Sequence, residues 1–276
     1  MLGLTKFVVI IGMLLIPMTV IAQDMGESDS SMAESDSSMH EMAMEMTAGS
    51  TSETEGDSLR AAFDTDGALK AYLKANEEDP DNTTYIWKIV REYADKGIFA
   101  DGDDEMEAAY SEAETWARKC VAMAPEDGHC HLYLSIAVGR IAESKSGKTK
   151  VRLSREVNEE AAKSIELNPN LDGAYHVLGR WNREVVALPW YLKAAIKMFL
   201  GGLPKASNEE AVKNFKTAIE LRPDRILHYF ELGVTYKYMG DKENARMNFE
   251  KTLSMDLVER KDEGRQEEAT EFLSKL

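Results

Sequence analysis

Beyond its first 22 residues the sequence lacks any strand-like run of alternating apolar and polar positions, so an all-helical body is expected. Signatures of common catalytic sites are missing as well. No nucleophile elbow, no H-E-x-x-H and no complete phosphate loop occurs. Gly147-Lys148-Thr149 imitates the end of a phosphate loop, but Ala142 stands where the first glycine is needed and no strand precedes it. The acid pairs Asp103-Asp104 and Glu209-Glu210 fall at expected helix starts, where they complement the dipole without any catalytic duty. No enzyme activity and no cofactor are therefore expected. A basic surplus is absent too. Lys and Arg total 33 against 49 acids, a formal charge of −16. Nothing neutralises phosphates along a continuous face, which excludes a nucleic-acid partner.

What is present begins with an apolar run, FVVIIGMLLIPMTVI at 7–21, behind Lys6. Its fifteen residues, broken by Pro17, suit a signal peptide better than a full span. Residues 1–22 are read as that signal, cleaved after Ala22, and the chain as exported and periplasmic; the alternative is an uncleaved N-terminal membrane anchor. No Cys follows the site, so a lipoprotein anchor is not expected. Residues 23–57 nearly repeat MGESDSS as MAESDSS and hold acids, Ser and Gly without aromatics. Such a composition cannot offset the entropy of ordering, so it reads as a disordered acidic, Met- and Ser-rich linker. Met39, His40, Met42, Met44 and Met46 could offer soft thioethers to copper, but nothing fixes a coordination geometry and an acidic tether is the plainer reading.

Residues 58–276 carry the helical domain. Pro80, Pro125, Pro169 and Pro223 each follow a helix end, at spacings of 45, 44 and 54 residues. Helices are expected near 58–78, 82–97, 104–123, 128–143, 153–167, 171–186, 189–200, 207–221, 225–239, 241–255 and 259–275. Asp81, Asp127, Ser154, Asp172, Ser207 and Asp241 are the expected N-caps. Ala211, Phe215 and Ala218 share one helical face, followed by Tyr229, Leu232, Gly233 and Tyr236, a turn at Gly240-Asp241, then Ala245 and Phe249. Small residues alternating with large ones let antiparallel helices approach closely. This is the tetratricopeptide pattern of stacked helical hairpins. The expected fold is all-α, a tetratricopeptide-like right-handed stack of antiparallel helix pairs with an inserted hydrophobic helix.

Cys120 ends one helix and Cys130 opens the next. Two readings stay open: a disulfide, as an oxidising compartment would favour, or two buried thiols in a helix seam. His129 and His131 flank Cys130, but a helix turns the three to different faces, so no metal is expected. Lys145, Lys148, Lys150, Arg152 and Arg155, with Arg140 upstream, form a basic cluster in an acidic chain. It reads as an anion site or as a solvated loop balancing local acids. The insertion LPWYLKAAIKMFLGGLP at 188–204 is apolar nearly all round, broken only by Lys193 and Lys197 before its closing turn. Such a helix is buried between repeats, walls a hydrophobic groove or meets lipid; burial is the plainest reading. Trp181 is the expected packing partner of Trp190.

The span from His129 onward resembles the regulator of microtubule dynamics protein family. The resemblance is carried by AAKSIELNP (161–169), HVLGRW (176–181), LPWYLKAAIKMF (188–199) and the helix from Glu210 to Pro223. The LPWY segment between two repeat helices is its specific part. The resemblance implies a tetratricopeptide-like domain that acts by binding. Eukaryotic members are associated with microtubules, and one with organelle contact sites and phospholipid binding and transfer. An exported chain meets no cytosolic microtubule, so a groove for a hydrophobic or anionic partner carries over more readily. Two functions are weighed. In the first, the concave face holds a protein or peptide partner whose acids are clamped by Lys148, Lys150, Arg180 and Arg183. In the second, a phospholipid, fatty acid or other hydrophobic ligand lies beside 188–204. Trp181, Trp190, Tyr191, Met198 and Phe199 would be its walls, with Lys193 or Lys197 at the headgroup.

Overall fold

The computed structural model describes residues 50–276. The expected signal peptide, and the linker as far as residue 49 with its methionines, lie outside the described residues. Twelve helices and no strand occur among them: α1 (Thr51–Ala61), α2 (Thr65–Glu78), α3 (Thr83–Ile98), α4 (Asp103–Met123), α5 (Gly128–Ser144), α6 (Gly147–Leu167), α7 (Asp172–Ala187), α8 (Trp190–Leu200), α9 (Asn208–Leu221), α10 (Ile226–Met239), α11 (Lys242–Leu253) and α12 (Asp262–Ser274). They pair as hairpins α1/α2, α3/α4, α5/α6, α7/α9 and α10/α11, with α12 packed on the last pair. The insertion α8 lies between the two helices of the fourth hairpin.

One packing rule repeats through the stack. Twelve, eight and five residues before each proline, the side chain is buried against its neighbours. The sets are Ala68, Tyr72 and Ala75; Ala113, Ala117 and Cys120; Val157, Ala161 and Ser164; Ala211, Phe215 and Ala218. Where the middle position is aromatic, at Tyr72 and Phe215, its ring lies on a glycine of the first helix of the hairpin, and Phe249 does the same in the last one. A Cβ on Gly56 would stand 2.5 Å from the Tyr72 ring, one on Gly179 2.8 Å from Phe215, and one on Gly233 2.7 Å from Phe249. Glycine is required there because nothing larger fits beneath an aromatic ring.

The expected helix 58–78 is two helices. Phe63 adopts φ +62 and Asp64 caps α2 by accepting from the Gly67 amide, which breaks the run. The domain also starts earlier than residue 58, at Thr51. The acids of this segment look like linker in isolation. In the fold Glu53 and Asp57 pair with the buried Lys88 at 2.7 and 2.8 Å, and Asp57 also accepts from the Tyr72 hydroxyl at 2.6 Å. Asp127, Ser207 and Asp241 cap as expected, but Asn82 caps α3 in place of Asp81. Leu171 precedes α7, with Asp172 inside it. Ser154 caps nothing. Helix α6 starts about two turns earlier, at Gly147, and Ser154 accepts the Trp181 indole N–H instead.

Cys120 and Cys130 form a disulfide across the α4–α5 turn, with a Cα–Cα distance of 5.2 Å. It closes a loop of ten residues' separation, for which chain-entropy arguments give about 2–3 kcal/mol. Reduction with dithiothreitol should lower the urea-unfolding free energy by about that amount. An unchanged midpoint after complete reduction would show that the bond constrains nothing the helix seam does not already hold.

Candidate functional site

The first helices of the hairpins stack on one another, α3 on α5, α5 on α7, α7 on α10 and α10 on α12. The second helices cover their backs. The side left over is the inner face, and each helix presents a stripe to it. On α3 the stripe is Trp87, Arg91 and Asp95, all half-buried and spaced i, i+4, i+8. On α5 it is His129, Tyr133, Ile136 and Arg140.

At the α3–α5 end these stripes build an aromatic ledge. The Trp87 ring stacks on Tyr133 with centroids 5.2 Å apart and planes 7° apart, and on His129 at 5.0 Å and 14°. Arg91 lies 5.5 Å from the Trp87 centroid and Lys88 5.9 Å. Arg91 is held from behind: its Nε donates to Glu92 at 2.9 Å and its terminal nitrogen to the Tyr72 hydroxyl at 3.1 Å. Glu92 is fully buried and also accepts from Arg60 at 2.8 Å. Burial pushes the Glu92 carboxyl above its ordinary range even though Arg91 and Arg60 pull it down. The ledge therefore keeps flat aromatic surface on a rigid base, with cations at its edge.

The other end of the inner face is closed by the chain itself. Residues 254–261, between α11 and α12, cross toward α3, where the Arg260 guanidinium sits 3.8 Å from the centroid of Phe99. Glu259 pairs with Arg225 and, at 2.9 Å, with Arg265. Burial would raise this carboxyl, but the two arginines hold it at about 2. Lys261 is lowered to about 8 by burial, with Arg140 and Arg265 repelling its charge. Beneath runs a buried relay. Arg225 and His228 both bond Asp172, at 2.5 and 2.8 Å. Because His228 Nε2–H donates to that carboxylate, its Nδ1 accepts from His176 Nδ1–H at 3.1 Å. Burial drives both rings below the ordinary histidine value. Asp172 is lifted by burial yet held at about 2 by His228 and Arg225.

The expected clamp is divided. Arg180 and Arg183 are not offered to a partner. Arg183 forms an ion pair with the Glu231 carboxylate at 2.5 Å and donates to the Glu231 backbone carbonyl at 3.2 Å, and Arg180 pairs with Glu184 at 3.0 Å and Glu143 at 3.6 Å. Burial opposes the charge on Glu231, but Arg183 and Arg180 outweigh it and keep the carboxyl ionised. These two arginines neutralise an internal acid rather than an external one. Lys148 and Lys150 are exposed on the first turn of α6, away from that cluster.

The hydrophobic insertion also departs from expectation. It is not buried between repeats. Trp190 is 80% exposed, Tyr191 62%, Met198 76% and Phe199 76%; only Ile196 faces the body and is buried. Trp181 does not pack on Trp190. It is buried in the central core with its Nε1–H donating to the Ser154 carbonyl at 2.7 Å, while Trp190 meets the Tyr191 ring edge-on. Lys193 donates to the Val186 carbonyl at 2.7 Å, and Lys197 is exposed. Two surface depressions, of about 500 and 420 Å³, lie at the α4–α5 and α6–α7 turns and between α9 and α10. Neither borders residues 181–199, so the walls expected for an enclosed hydrophobic ligand do not surround either volume.

Trp87, Arg91 and Tyr133 escaped the sequence reading. The signal was there: Trp87 and Tyr133 stand 46 residues apart, close to the proline spacing, so they occupy neighbouring positions in successive repeats.

The architecture is that of a tetratricopeptide-like helical-repeat protein. A thermophilic TPR protein of Thermus thermophilus, TTC0263, superposes with a TM-score of 0.60 at 17% identity, covering 81% of this chain and 99% of that one. The profile of the family described as Regulator of microtubule dynamics protein 1-3 matches residues 53–276. This chain belongs to that family. Regulator of microtubule dynamics protein 2 of mouse is 23% identical over 201 residues, 72% of this chain and 49% of that protein. The mouse protein 1 is 22% identical over 224 residues, 80% of this chain and 73% of that protein. The chain thus spans about half the length of the first of these relatives.

Two measurements check the electrostatics. Unfolding below pH 6.5 takes up protons that the buried His176 and His228 refuse, so stability should fall as pH drops from 7 to 5, by up to about 1.4 kcal/mol per pH unit for each ring. Asp172 and Glu259 act in a lower window, since their contribution is full above their ordinary values of 3.8 and 4.5 and is lost only as pH falls toward 2. Urea titrations at pH 7, 5 and 3 separate the two; a flat profile from 7 to 5 would mean that the rings protonate in the fold. Replacing Arg183 by Met leaves the buried Glu231 with Arg180 alone, at 3.8 Å, and should cost about 2–3 kcal/mol of stability in the same assay, somewhat less than a fully unpaired buried charge. A fully stable variant would return Arg183 to the list of free partner contacts.

Proposed function

We propose that this chain is a non-enzymatic binding scaffold that holds an extended protein or peptide segment on the inner face of its first three hairpins. The observation that carries this reading is the half-exposed stack of Trp87, Tyr133 and His129, 36% of whose side chain is open, backed by a buried ion-paired base. Aromatic surface held rigid before binding loses little entropy when a partner covers it. Arg91 at its edge can take a carboxylate or carbonyl from the partner without leaving Glu92. The segment 254–261 reaches Phe99 and Arg140 at the C-terminal ends of α3 and α5, which leaves the N-terminal halves of those helices, where the ledge lies, to a partner. Exposed Lys148 and Lys150 remain as outlying cations for an acidic partner.

Export is part of the proposal. The apolar run before Ala22 motivates it, and a disulfide between Cys120 and Cys130 supports it, since such bonds persist where thiols are not kept reduced. Binding to microtubules does not follow for a chain in that compartment.

Peptides selected from a random display library on the wild-type protein, then retested on a Trp87→Ala/Tyr133→Ala variant, give the test. At least a tenfold loss of affinity is expected at a temperature where the variant is still folded, since both half-buried rings also pack on the core and their removal lowers the melting temperature, and a truncated aromatic anchor typically costs about 2 kcal/mol or more. Peptides that bind the variant equally well would remove the ledge from the partner site.

A further inference from the structure

We propose that α8 is an interfacial anchor that seats the domain on the surface of an anionic lipid bilayer. The inference uses a different face from the peptide ledge and does not depend on it. Trp190, Ala194 and Met198 follow one another at i, i+4 and i+8, so they form a single outward line, with Tyr191 and Phe199 beside it. An apolar stripe of this size on a surface marks an interaction site, because water penalises it in the free protein.

The stripe is exposed by construction, not through loose packing. Pro189 opens the helix and Gly201, at φ +80, closes it with Gly202 N–H donating to the Ile196 carbonyl at 3.1 Å. Arg155 of α6 donates to the carbonyls of Leu200 and, at 2.9 Å, Gly202. The ammonium of Lys193 ties the first turn to α7 through Val186. Ile196 is the inward residue. A helix pinned at both ends and from within cannot turn its tryptophan inward.

Charge selects the occupant. No Asp or Glu occurs from 185 to 208, while Lys193, Lys197 and Lys205 do, in a chain of net charge −16. Arg152 and Lys148 stand three and seven residues before Arg155, which puts them on the side of α6 that reaches the end of α8. A second copy docked through the same stripe would bring lysines against lysines with no acid between them. Anionic headgroups match both halves of the surface: aromatic rings enter the headgroup boundary and lysines reach outward from it. At 1.5 Å per residue the eleven residues of α8 span roughly 16 Å, about half a hydrocarbon core, so the helix lies in the plane. Among the described residues no helix is long and apolar enough to cross a membrane.

The test uses residues 49–276, a compact unit by itself, which avoids the apolar run at 7–21. Flotation with phosphatidylcholine vesicles is compared with flotation on vesicles containing about one third phosphatidylglycerol. The domain should bind the anionic vesicles, bind the neutral ones at least tenfold more weakly, and release as salt rises. Trp190→Ser/Phe199→Ser should abolish binding without lowering the melting temperature, and Lys197→Gln/Lys205→Gln, which leaves the Lys193 tie to Val186 in place, should weaken it at least tenfold. Absence of wild-type binding, equal binding by the variants, or a concentration-dependent dimer that the Trp190→Ser/Phe199→Ser variant dissolves would each overturn the assignment.

Discussion

The contact on which the rest of the structure depends is an aromatic ring lying on a glycine. Phe215 on Gly179 and Phe249 on Gly233 set the separation of the two helices in their hairpins, and Tyr72 on Gly56 does the same at the start. Because each hairpin closes on small residues, its flanks are free to bury against the next hairpin, and the stack extends. The fourth hairpin shows how strong the constraint is. Its two helices pack as in the other pairs although α8 and its connections separate them in sequence. With the register of Phe215 already met, the insertion has no place inside and is carried on the surface.

A second constraint follows from stacking charged helices. The inner face holds Arg60, Glu92, Arg140, Glu143, Arg180 and Glu231 at short distances, and each buried carboxylate there has an arginine against it. Such pairs add little net stability, but removing one member leaves an unpaired charge in a dry seam. The inner face is consequently divided. Ion pairs and the segment 254–261 occupy one end, and stacked rings over a paired base occupy the other. Only the second offers surface that a partner can cover without dismantling the fold.

The two exposed surfaces therefore suit different chemistry. The ledge of Trp87, Tyr133 and His129 is flat, recessed between helices and edged by cations. The α8 stripe is exposed along its outward line and free of acids. A scaffold with both can hold a polypeptide on one face while the other rests on a larger surface. Neither needs a reactive group, and the perturbed titrations at His176, His228 and Asp172 serve the seam between α7 and α10.

The sequence by itself determined the helix periodicity, the hairpin punctuation at four prolines, the family and the existence of an inserted apolar helix, because each depends on residues close in the chain. Spacing alone also brought Cys120 near Cys130. Tertiary structure decided what those residues face. Arg180 and Arg183 looked like free cations until Glu231, some fifty residues on, was folded against them. Glu53 and Asp57 looked like linker until Lys88 lay over them. Trp181 and Trp190, nine residues apart and equally apolar, ended at opposite extremes of exposure. Apolarity states the cost of meeting water; only the packing of distant helices determines which side chain is spared it.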